Sequence, residues 1–183
     1  MKICEKNHNK KAPSVDLDLQ LCLATERRIF NVLKNIASKA VDHNSSAQNV
    51  GAIVVFGDFP QDYQGVRGLV QMKPKQNPIT SPIIINTDEA EEVIETFSRH
   101  PYDGAVVVNK AGQIIGAGIY LTVDHPTLDL PDGCGTRHKA AASFSLHNSV
   151  ISVLTLSEET NKVRLWRDGK KEEELEIKSG DYK

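Results

Sequence analysis

Two stretches of this chain carry residue types whose order points to chemistry: Asp103-Gly104-Ala105 and, farther on, Gly135-Thr136-Arg137-His138-Lys139. The second follows the glycine-bearing turn Asp132-Gly133-Cys134 and leads into Ala140-Ala141-Ala142, so it reads as a helix start that carries cations. The first N–H groups of a helix lack internal acceptors and lie at the positive end of its dipole, which stabilises phosphate oxygens there. Arg137 offers a planar fork for two such oxygens, and Lys139 a mobile point charge. Asp103 stands directly before the apolar run Ala105-Val106-Val107-Val108, an acid at the mouth of a strand. An acid at a strand end and cations at a helix start are parts that a metal–nucleotide site requires. Each has a plainer reading as well: a turn aspartate before glycine, a solvated helix end, a satisfied buried histidine. Cys134 and His138 lack any evident acid or amide to orient them as a thiol nucleophile pair.

These residues need a frame, and periodicity supplies it. Ile29, Val32, Leu33, Ile36 and Ala40 recur at helical spacing and predict an amphipathic helix over about 16–41, with Arg27 and Arg28 on its solvated side. Residues 50–56 are a continuous apolar run, the pattern of a buried central strand. Gly57 to Gly68 reads as a polar loop, 69–72 and 83–85 as brief strands, and the proline-bearing stretch between them as irregular. Thr87 with Asp88 and Glu89 marks a helix N-cap, and Ala90, Val93, Ile94 and Phe97 give that helix one apolar face, ending near His100-Pro101. Residues 104–109 and 113–122 predict a hairpin turning at Asn109-Lys110-Ala111-Gly112. A helix over about 137–147 and strands over 150–156 and 163–166 complete the core. The expected fold is α/β or α+β: a mixed, twisted central sheet of six or seven strands with helices on both faces.

Composition narrows the class. The 183 residues are 39% hydrophobic, enough for one substantial core and short for two. Residues 1–15 lack periodicity and are expected to form a flexible leader, 16–168 the folded domain, and 169–183 a charged, exposed tail. Lysine plus arginine number 22 against 24 acids, which argues against a nucleic-acid-coating protein and makes any phosphate site local. Three cysteines without a C-x-x-C pair imply no disulfide framework and fit the cytoplasm. No signal peptide and no membrane-spanning run is read in the chain.

A third motif, Ser157-Glu158-Glu159-Thr160, follows the strand after the basic helix. The three motifs in this order resemble the diadenylate cyclase domain, the N-terminal domain of DisA-type proteins, and the likeness reaches upstream to Val50-Gly51-Ala52-Ile53-Val54-Val55-Phe56. The resemblance implies a DisA-type mixed sheet wrapped by helices, and a nucleotidyltransferase that condenses two ATP into cyclic 3′,5′-di-AMP and two pyrophosphates. It implies that Asp103, Gly104, Arg137 and His138 are catalytic. Leu121, Gly135, Thr136, Arg137, His138, Lys139, Ser157 and Glu158 would bind ATP, and Asp103 and Glu159 would hold Mg2+ or Mn2+. Because two ATPs must lie face to face, it further implies a homodimer or larger homo-oligomer. Lys139 stands where the family pattern has arginine, keeping charge without bidentate geometry; Tyr102 stands where membrane-type members often carry histidine. The competing expectations are a non-catalytic nucleotide-binding module of the same fold and a metal-dependent nucleotide hydrolase.

Overall fold

The computed structural model describes residues 14–42, 50–61, 63–72, 74–99, 101–123, 130 and 135–178. The leader expected over 1–15 lies outside these residues apart from Ser14 and Val15, which open the first helix, and the turn Asp132–Cys134 lies outside them entirely.

The elements run α1 (Ser14–Asp42), β1 (Ala52–Gly57), β2 (Leu69–Gln71), β3 (Ile83–Ile84), α2 (Asp88–Thr96), β4 (Ala105–Asn109), β5 (Gln113–Leu121), α3 (Thr136–Phe144), β6 (Val150–Leu156), β7 (Lys162–Arg167) and β8 (Lys170–Glu176). They form one mixed sheet in the order β2-β5-β4-β1-β6-β7-β8, with β3 also pairing β5. β1 and β4 are parallel; the other pairs are antiparallel. β1 and β4, the central strands, are the most continuously apolar segments because both of their faces are covered.

Alternation along the strands feeds two cores. Val54, Phe56, Val106, Val108, Leu154 and Leu156 face α1 and α2, meeting Ile29, Leu33, Ile36, Ala90 and Ile94. Val55, Val107, Val153 and Trp166 face the opposite side, meeting Ala141, Ala142 and Phe144 of α3 together with Phe59 and Tyr63 from the loop after β1. Helices therefore lie on both faces, as the patterning predicts. The predicted caps and turns are also present: the Thr87 side chain accepts from the Ala90 N–H at 3.2 Å, and Gly112, at φ +73, closes the β4–β5 hairpin. Both shorter helices end earlier than periodicity implies, α2 at Thr96 and α3 at Phe144.

The chief difference from expectation is β8. Residues 170–176, read as part of an exposed charged tail, form an eighth strand at the edge of the sheet, largely exposed as a tail would be. Its lysines and glutamates pair across the ladder, with Glu174 opposite Arg164 and Glu176 opposite Lys162, while Ile177 is buried. The turn that creates it is Asp168-Gly169, both at positive φ (50° and 75°), the backbone of a two-residue type I′ hairpin. Among the described residues no helix is long and apolar enough to cross a membrane.

Candidate active site

Sheet register decides where the motifs meet. Val54 of β1 is level with Val106 of β4, and Ala52 is level with Leu156 of β6. Gly51 before β1, Asp103-Gly104 before β4 and Ser157 after β6 therefore emerge at one end of the sheet, beside the end of β5, where Ile119 is level with Ala105. The start of α3 lies over this end. Together they line a cavity of about 470 Å3 that contains Asp103, Gly104, Leu121, Gly135, Thr136, Arg137, His138, Ser157, Glu158 and Glu159.

Local backbone chemistry makes this geometry possible. A Cβ on Gly104 would lie 2.7 Å from the backbone of Gly118, which is itself at φ +72 within a bulge of β5. The glycine in Asp103-Gly104-Ala105 thus lets two strands close up, and the aspartate projects at the strand mouth with its side chain 71% exposed. Gly135 is the N-cap of α3 and supplies no capping side chain, so the first amides of the helix remain available. The first turn of α3 carries no acid. Its cations sit at the dipole end that disfavours them, an arrangement a bound anion would offset. Ser157 closes the β6–β7 turn by accepting from the Thr160 N–H at 3.3 Å, and this presents Glu158 and Glu159 to the cavity.

Arg137 is the centre of the polar network. Its Nη2 lies 3.5 Å from Asp103 Oδ1, and its Nη1 lies 3.4 Å from Glu158 Oε2. Both contacts are long, and both carboxylates are exposed, so the guanidinium is positioned yet exchangeable. His138 is buried beside it, and Arg164 Nη1 donates to its Nε2 at 2.6 Å. Burial, with the Arg164 and Arg137 guanidiniums nearby, pushes the imidazole from its usual 6.5 down to about 4. Lys139 is the one predicted site residue that the fold does not bring in: it is exposed on α3 and does not line the cavity.

The strand end Gly118-Ile119-Tyr120-Leu121, which the family resemblance places beside the adenine, brings Tyr120 and Leu121 to the cavity wall, whereas sequence reasoning gave neither Gly51 nor Met72 a role there. Gly51 was visible only as one residue of the Val50–Phe56 run that shares the family likeness. Met72 arrives through tertiary pairing, its N–H donating to Gly118 O at 3.0 Å, and no local signal marks it.

Comparison with known proteins agrees with the motif order. The profile of the DisA bacterial checkpoint controller nucleotide-binding family, the DAC domains, matches residues 38–171. The chain belongs to this family. Two curated diadenylate cyclases are similar to this DAC domain. That of Haloferax volcanii is 27% identical over 151 residues, covering 80% of this chain and 53% of the relative; that of Methanocaldococcus jannaschii is 28% identical over 166 residues, covering 90% and 50%. The chain thus spans about half the length of the curated relatives it matches. Among solved structures, the fold of this DAC domain is similar to that of a double-cysteine variant of DacA from Staphylococcus aureus, with a TM-score of 0.52, 20% identity and coverage of 87% and 88% of the two chains. It is also similar to a hypothetical membrane-spanning protein from Bacillus cereus, with a TM-score of 0.56, 18% identity and coverage of 84% and 63%.

Proposed function

We propose that this DAC domain condenses two ATP molecules into cyclic 3′,5′-di-AMP with release of two pyrophosphates. The observation that carries the reading is Arg137 at the open start of α3, held between Asp103 and Glu158 in one cavity. The similarity to proteins named diadenylate cyclase supports it.

The reaction needs each ribose 3′-hydroxyl to lose its proton and attack the α-phosphorus of the other nucleotide, forming one P–O bond as the bond to pyrophosphate breaks. Such transfer depends on alignment and on stabilising charge. Arg137 and the first amides of α3 hold phosphate oxygens, the guanidinium exchanging its long carboxylate contacts for shorter phosphate ones. Asp103, exposed at the strand mouth, accepts the hydrogen bond of the attacking hydroxyl. Leu121, with Met72 and Tyr120, provides apolar surface for the base.

The acids at this site suit a hard cation, because carboxylate oxygens are the ligands Mg2+ and Mn2+ prefer. Among the described residues no three His, Cys, Asp or Glu side chains group to hold a metal, so Asp103 and Glu159 would share the ion with phosphates and water. When bound, it neutralises charge on the transferring phosphate. Two ATPs cannot lie face to face in one such cavity, so two copies of the chain must meet cavity to cavity.

The test is to incubate the purified chain with ATP and Mg2+ or Mn2+ and identify products by mass spectrometry. Cyclic di-AMP is expected. Bound but unreacted ATP would favour a non-catalytic module, and AMP or ADP alone a hydrolase.

A further inference from the structure

The strand that the charged C-terminal stretch forms reaches the cavity through a chain of side chains. Glu174 Oε2 of β8 accepts from Arg164 Nε at 2.6 Å, and Arg164 Nη1 donates to His138 Nε2 at 2.6 Å. Arg164 is only 9% exposed, and its neighbour in the ladder, Glu174, is opposite it in register. The other charges acting on the imidazole are Arg137 on its own helix and Lys171 on β8, and the Trp166 ring packs 6.0 Å away. A guanidinium is always a donor. The lone pair of Nε2 is therefore occupied, and a neutral ring must carry its proton on Nδ1. That Nδ1 is buried and has no acceptor among the described residues.

We propose that Arg164 and Glu174 are positioning residues of the cavity: Glu174 fixes the Arg164 guanidinium, which holds His138 as its neutral Nδ1–H tautomer. With its Nε2 lone pair taken by Arg164, His138 presents a fixed ring at the cavity wall and does not act as a base through Nε2. The significance for the reaction rests on the cavity being the ATP site proposed above; the tautomer does not.

The experiment is 15N–1H NMR of the full chain labelled at histidine, with His138 assigned by comparison with H138Q, alongside steady-state kinetics for R164M, R164K and E174A. Wild type is expected to show a protonated Nδ1 and a bare Nε2, and a protonated Nε2 would overturn the inference. R164M should lose this tautomer and lower kcat/KM about 10- to 100-fold, as removal of a residue orienting a site histidine does. R164K, which keeps a donor, should recover much of both; E174A should loosen both while preserving the fold, and so carries the test if R164M does not fold. A tautomer lost with kcat/KM unchanged would refute the positioning role. If no variant and no wild type makes cyclic product, the proposed reaction fails separately. Positioning is then read from ATP affinity, and equal affinity in wild type, R164M and E174A would overturn it.

Discussion

The guanidinium of Arg137 occupies the space that a side chain at position 51 would fill: a Cβ built on Gly51 would lie 2.0 Å from Arg137 Nη1. G51A should therefore displace the flexible end of Arg137 without disturbing backbone. Thermal unfolding is expected to stay near wild type while the ATP dissociation constant rises about 10-fold, the loss of roughly one charge-assisted hydrogen bond. Isothermal titration calorimetry checks it; unchanged affinity would mean that Arg137 does not hold the nucleotide from this position.

G104A makes the opposite case. Its Cβ would meet the Gly118 backbone at 2.7 Å, and backbone cannot swing aside. A loss of about 1–3 kcal/mol is expected from the overpacking, seen as a melting temperature lower by several degrees. A variant as stable as wild type would show that the β4–β5 approach is looser than described.

R137A removes both long carboxylate contacts, which contribute little to stability at the cavity mouth. Folding should be nearly unaffected, whereas ATP affinity should drop about 10- to 100-fold, the worth of hydrogen bonds from a charged group. Tight ATP binding by a folded R137A protein would remove Arg137 from the phosphate site.

D103N tests the division of labour. Asp103 is exposed, so the amide should cost stability less than about 0.5 kcal/mol. Cyclic product should vanish while ATP still binds. Undiminished product would sink the role given to the carboxylate.

Acid should destabilise the chain in a defined window. The His138 imidazole titrates near 6.5 when unfolded and near 4 when folded, so between these values the unfolded state binds more protons and stability falls as pH drops. At about 1.4 kcal/mol per pH unit the loss is of order 3 kcal/mol. Hydrogen bonds from Lys171 and Arg164 hold the Glu174 carboxyl down to about 2 from 4.5, so its contribution is complete above pH 4.5 and is lost only below that. Denaturant unfolding at pH 7, 5.5 and 4.5 covers the His138 window, which lies above that of Glu174, and H138Q should flatten that part of the profile.

The amino-acid sequence by itself determined whatever depends on neighbours in the chain. The stripe from Ile29 to Ala40, the Thr87 cap, the Asn109–Gly112 hairpin and the runs that become β1, β4 and β6 each follow from local hydrogen bonding and side-chain period. The three motifs were likewise legible, because Asp-Gly-Ala, Gly-Thr-Arg-His and Ser-Glu-Glu-Thr are short and ordered. Tertiary structure decided what depends on register. Gly51 became part of the site only when the parallel pairing of β1 with β4 set it beside Asp103, and Lys139 left it because the helical turn carries its side chain away from Arg137. The last strand shows the limit most plainly. Its lysines and glutamates carry no apolar period, so composition reads as solvent-facing chain, although Asp168-Gly169 held the turn signal. Its strand character comes from Arg164, Lys162 and Arg167 across the ladder, opposite charges whose pairing exists only once β7 is in place.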